Sequence, residues 1–220
     1  MIEARHTLVA RKTQIDNCLL DLFSRVMEAM DQALSCLADG DRTVCRTIIE
    51  GDAGINNCRC LIERDCLTTI ALHQPVASDL REVIAASRVA GELERMGDYA
   101  SDIASIVMQM DNAGQSETGT VDVLKISRLC ARMLDEVQAA YRQKDAGKAK
   151  ESAKLDDVID SAHANLVNRL FSTMQSSPGL VPDASRTLWI SHILERYADH
   201  ATNIAEQVVF MTEGELVELN

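Results

Sequence analysis

The chain has 220 residues, a net charge of −12, 46% apolar residues and only 3% aromatics. That length fits one large domain or two small ones, and that apolar content excludes wholesale disorder. The acidic balance argues against nucleic acid, which needs clustered Lys and Arg, and favours cations or a basic protein surface as partners.

Three Pro and ten Gly beside abundant Ala, Leu, Met and Glu favour helix over sheet. No apolar run reaches the roughly 18 residues of a bilayer span, so no membrane insertion is expected. The opening Met1-Ile2-Glu3-Ala4-Arg5-His6 lacks the basic-then-apolar layout of a secretory signal, and the expectation is a cytoplasmic protein. A first helix ends at Asp39-Gly40-Asp41 and a second at His73-Gln74-Pro75. A third starts near Ser78, whose hydroxyl can cap it, and runs to about Asp111. The stretch Asn112-Ala113-Gly114-Gln115-Ser116-Glu117-Thr118-Gly119 reads as a linker. This divides the chain into a first unit at 1–112, a linker at 113–119 and a second unit at 120–220. In the second unit Lys144-Asp145-Ala146-Gly147 and Ser176-Ser177-Pro178-Gly179 serve as the two turns.

The two units repeat one another. Asp41, Asp52, Ile55 and Asn56 align with Asp145, Asp156, Ile159 and Asp160, and Leu93-Glu94-Arg95 aligns with Leu194-Glu195-Arg196. The third helix carries Ala86, Val89, Leu93, Met96, Ala100, Ile103, Val107 and Met110 at alternating three- and four-residue steps. Its counterpart carries Thr187, Ile190, Leu194, Tyr197, Ala201, Ile204, Val208 and Met211. Such seams over several heptads predict long, nearly antiparallel helices, and hence an all-α fold of two tandem three-helix bundles related by duplication.

With these residues inward, Glu94, Asp98 and Asp102 follow one another along an outer stripe, as do Glu195, Asp199 and Asn203. Folding the second helix back on the third about Pro75 levels Asp52 with Asp98 and Asn56 with Glu94. The same fold in the second unit levels Asp156 with Asp199 and Asp160 with Glu195. The candidate metal ligands are therefore Asp52, Asn56, Glu94, Asp98 and Asp102 in one unit, and Asp156, Asp160, Glu195, Asp199 and Asn203 in the other. Crowded like charges repel, and a divalent or trivalent cation removes the repulsion. Oxygen ligands suit magnesium, calcium, manganese or iron; zinc is kept among the candidates and the identity stays open. A plain solvated acidic face is the alternative. His163, His192 and His200 are candidate nitrogen ligands or surface residues. The seven cysteines, including Cys58-Arg59-Cys60 and Cys66, fit no common zinc module and read as thiols filling the core.

His73-Gln74-Pro75-Val76-Ala77-Ser78-Asp79-Leu80-Arg81, Ile49-Glu50-Gly51-Asp52, and the two motifs beginning Glu92-Leu93-Glu94-Arg95 and Leu194-Glu195-Arg196-Tyr197 together resemble the PhoU family over nearly the whole chain. The resemblance implies tandem three-helix bundles that hold metal clusters on those surface carboxylates. It also implies negative regulation of phosphate uptake and phosphate signalling, by contact with the phosphate ABC transporter's ATPase subunit and a sensor histidine kinase. A homodimer is expected, and Asp79 and Arg81 are candidate partner contacts or simply a helix cap and an ion pair. Asn56 stands where the family prefers an acid. No nucleophile motif or phosphate-binding glycine loop is present, so no enzyme is expected. The competing class is a ferritin-like carboxylate bundle for metal storage or redox, which needs acids inside a four-helix core and a Glu-x-x-His pair that this sequence lacks.

Overall fold

A computed structural model describes residues 2–110 and 119–219, with side chains described from residue 5 onward. The expected linker lies outside the described residues except for Gly119. Unit one is α1 (Ile2–Asp39), α2 (Arg42–His73) and α3 (Ala77–Met108); unit two is α4 (Thr120–Gln143), α5 (Ala146–Ala153), α6 (Leu155–Ser176) and α7 (Val181–Glu213). A single 3₁₀ turn, Pro178–Leu180, joins α6 to α7. No strand occurs among the described residues.

The duplicated aspartates do the same work in both units. The Asp41 carboxylate accepts from the amides of Thr43 (2.8 Å) and Val44 (3.4 Å) and so caps α2. Asp145 caps α5 by accepting from the Lys148 amide at 3.0 Å. Gly40, at φ 74, supplies the left-handed residue that lets α1 turn into α2 without a longer loop.

Two boundaries differ from the sequence reading. Ser78 does not cap α3: Val76 occupies that position in extended geometry with no side-chain cap, while Asp79 supplies the negative charge in the first turn. The second helix of unit two is broken at Lys154, which adopts a tighter turn with its amide bonded to the Glu151 carbonyl. Neither glycine nor proline marks the break. The buried Ser152 hydroxyl donates to the Ala149 carbonyl at 2.9 Å, a back-bond that bends helices.

The seam holds throughout. Every one of its sixteen residues on α3 and its extension, and on α7, is buried. Leu19, Leu22, Phe23 and Val26 of α1 and Met133, Leu134 and Val137 of α4 fill the space opposite them. α3 and α7 are thus the central helices of their units, and they also pack on each other. That joint is polar. The Glu92 carboxylate meets His200 Nδ1 at 2.6 Å and accepts from Asn203 Nδ2 at 3.0 Å, and Arg88 donates to Gln207 at 3.2 Å. A second tie forms where Glu82 accepts from Lys12 at 2.6 Å and Lys144 at 2.7 Å, beside the Tyr141 hydroxyl donating to Asp16 at 2.8 Å.

Candidate metal sites

In unit one, α2 brings Asp52 and Asn56 to the face where α3 carries Glu94, Asp98 and Asp102. Gly97 sets how closely the two helices approach: a Cβ there would stand 2.9 Å from the Ile55 side chain. The result is visible in the charges. Burial, then Glu94, Asp52 and Asp102, push the Asp98 carboxyl up to about 6. Burial and Asp52 also raise Asp102. Asp52 acts across the helix pair, so the predicted levelling of α2 with α3 holds. Neutral and basic neighbours soften this cluster: Asn56 donates to Asp52 at 3.0 Å, and Arg59, bonded to Glu63 at 2.9 Å, places its Nε 3.2 Å from Glu94.

In unit two, α6 carries Asp156 and Asp160 and α7 carries Glu195 and Asp199. Burial, then Asp160, Asp199, Asp157 and Glu195, push the Asp156 carboxyl up to about 7. Burial, Glu195 and Asp160 raise Asp199. Asp156, which the sequence places level with Asp199 of the outer stripe, is only 8% exposed. α4 lies close enough that the Asp156 charge also acts on the buried Cys130 thiol.

Four acceptor atoms in these clusters are buried without a hydrogen-bond donor: Asp52 Oδ1, Asn56 Oδ1, Asp156 Oδ1 and Glu195 Oε2. Each such atom costs about 1–3 kcal/mol in lost hydration. Oxygen donors that are crowded, acidic and unsatisfied fit a hard cation. Among the described residues no three His, Cys, Asp or Glu side chains are already gathered around one point able to hold an ion. The acids form an open ladder of mutually repelling charges across each helix pair rather than a closed cage.

Several expected residues lie elsewhere. Asn203 and His200 serve the joint with unit one through Glu92, because α3 covers α7 at that level. Asp79 pairs with Lys12 of α1. Arg81 stacks on Gly214 at the end of α7, where a Cβ would come within 3.3 Å of its guanidinium carbon. Cys58, Cys60 and Cys66 of α2 are half-buried, exposed and buried in turn. The Glu92 joint and the Arg59–Glu94 pair were not foreseen; both are isolated polar residues on a helix flank, with no spacing signal.

A family model described as PhoU domain matches residues 19–107 and 123–208, one match in each unit. The chain belongs to the PhoU family. A phosphate-specific transport system accessory protein PhoU homolog of Streptococcus pneumoniae is 33% identical over 207 residues, spanning 94% of this chain and 95% of the relative. The PhoU homolog of Pseudomonas aeruginosa is 32% identical over 196 residues, 89% of this chain and 81% of its own. The crystal structure of the phosphate transport system regulatory protein PhoU from Streptococcus pneumoniae superposes with a TM-score of 0.89 at 31% identity, covering 96% of this chain and 99% of that one. PhoU from Pseudomonas aeruginosa matches with the same TM-score and identity over 94% and 99%. Within the two matched regions the acidic residues lie on α2 with α3 and on α6 with α7.

Proposed function

We propose that this PhoU-family chain is a regulatory accessory protein of phosphate uptake and phosphate signalling, working as a metal-dressed adaptor and not as a catalyst. The observation that carries the reading is the PhoU match in both units, together with relatives named as accessory proteins of phosphate-specific transport. Asp52, Glu94, Asp98 and Asp102 with the Asn56 amide oxygen would hold a divalent or trivalent cation in unit one; Asp156, Asp160, Glu195 and Asp199 would hold one in unit two. A bound cation neutralises the acids and turns a self-repelling face into one that a partner can approach. The orphaned carboxylate and amide oxygens support this assignment.

The partners of this reading are the ATPase subunit of the phosphate ABC transporter and a sensor histidine kinase, engaged on the cytoplasmic side by a homodimer that restrains uptake. Asp79, whose side chain is 44% exposed, and Arg81 stand at the start of α3 as contacts for such a partner. Among the described residues no helix is long and apolar enough to cross a membrane. A pull-down with the purified transporter ATPase tests the adaptor role. Capture that is lost on chelation is expected; no capture of either partner, with or without cations, contradicts it. Against a ferritin-like oxidase stands the apolar seam, with the acids outside it. Rapid turnover of iron(II) by oxygen at stoichiometric iron would reverse that choice.

A further inference from the structure

We infer that the groove between α1 and α2 of unit one is a docking site for a basic helix of a protein partner. The inference rests on the adaptor reading above and adds the surface that meets the partner and the chemistry of the segment it takes.

α1 and α2 run antiparallel from the Gly40 turn and leave a groove on their outer side. Two adjoining cavities of about 200 and 410 Å³ lie along it and share Gln32 and Thr47 as walls. The opening has a cause in the sequence. Gly51 and Gly54, one turn apart on α2, line it, and a Cβ at either would meet nothing within 4 Å. Ala29 and the buried Ile48 and Ile55 add small and apolar surface. Two helical walls, an apolar lining and two positions without side chains make the shape that a third helix fills.

The rim is acidic. Glu28 and Asp39 of α1, Asp41 of the turn and Asp52 of α2 line the groove. None of the four forms an ion pair among the described residues. Arg25, which also lines it, is already held by Asp21 at 2.7 Å. At a rise of 1.5 Å per residue, Glu28 and Asp39 are separated along α1 by roughly 16 Å, or three turns. The complementary occupant is a helix of about that length, with Lys or Arg near both ends and small or apolar residues between. Nucleic acid and anionic lipid carry the wrong charge for this rim.

Unit two builds the same place differently. Leu155 and Val158 stand at the positions of Gly51 and Gly54, and Arg132 and Gln143 at those of Glu28 and Asp39. Leu155 packs on the core, and α5, which ends at the Lys154 break, lies against α4. Arg132 pairs with Glu136 at 2.8 Å. The open acidic groove is thus a property of unit one, and the two units have diverged in what they present to a partner.

That divergence supplies the test. Purified transporter ATPase and the kinase's cytoplasmic domain are each captured on the immobilised full chain. Wild-type capture should weaken as salt rises from about 0.05 to 0.5 M, since opposed charges draw the two surfaces together. Gly51→Leu/Gly54→Val fills the groove with the residues of unit two and replaces two poor helix formers, so helicity should be kept. It should weaken capture by at least about tenfold. Glu28→Lys/Asp39→Lys, at two exposed side chains, should do the same and remove most of the salt dependence. Wild-type capture by both variants overturns the groove and leaves the adaptor reading standing. Lost self-association in sedimentation, with capture of both partners intact, assigns the groove to a second copy and overturns the partner helix. No capture by the wild-type chain overturns both readings.

Discussion

Gly97 and Gly51 both sit inside long helices, where glycine costs about 0.5–1 kcal/mol relative to alanine, but for different reasons. Gly97 makes room for Ile55, and a Cβ would intrude at 2.9 Å. Gly97→Ala should therefore cost about 1–3 kcal/mol by overpacking. At Gly51 nothing lies within 4 Å, and Gly51→Ala should stabilise α2 by about 0.5–1 kcal/mol. Denaturant unfolding of the two variants checks the contrast; a neutral Gly97→Ala would mean that Ile55 does not set the approach of α2 to α3. Asp156 gives a second residue-scale test. Its carboxyl is raised in the fold to about 7, so the fold favours the protonated form, and the stability contribution is full at low pH and lost as pH rises through about 7. In chelated protein, Asp156→Asn should stabilise by about 1 kcal/mol at pH 8. That gain should shrink towards zero as pH falls to about 4. Equal effects at both pH values would contradict the crowding. The rungs themselves were legible, because hairpin pairing and four-residue spacing are both sequence properties. The burial of Asp156 was not, since it depends on α4, which neither spacing positions.

At the scale of elements, the seams and the turns followed from periodicity and breaker residues and hold, and the aligned Asp41 and Asp145 prove to be matching helix caps. The break at Lys154 was hidden because a serine back-bond inside a helix leaves no glycine or proline to read. Ser78 misled for a related reason: a good capping residue was present, but Val76 took the position and left the first-turn charge to Asp79. Glu82 ties α1, α3 and the end of α4 together. Burial alone would raise its carboxyl, but the bonds from Lys12 and Lys144 hold it below the usual carboxylate range. A lowered carboxylate contributes stability that is present above its unfolded pKa and lost as pH falls through the folded value. Glu82→Gln should cost about 1 kcal/mol near neutrality and progressively less below about pH 4.5. An unfolding midpoint that falls equally at pH 7 and pH 3 would show that the loss is packing and not charge.

For the whole molecule, duplication was legible and docking was not. The α3–α7 joint is made by Arg88, Glu92 and Tyr99 against His200, Asn203 and Gln207, with Arg196 over the Tyr99 ring and Arg88 over that of Phe210. A polar joint leaves no apolar stripe in the sequence, so Asn203 reads as an outer ligand when the fold uses it as a clasp between units. Duplication then puts two acidic ladders on one molecule, and the idea that each is held together by a cation is what the proposed function depends on. The direct test is metal content by mass spectrometry after stripping and reloading, for wild type and for Asp156→Asn/Asp160→Asn/Glu195→Gln/Asp199→Asn. The four-fold variant should keep its helicity and lose the ion of unit two; a folded variant that retains the full wild-type metal content would contradict the account.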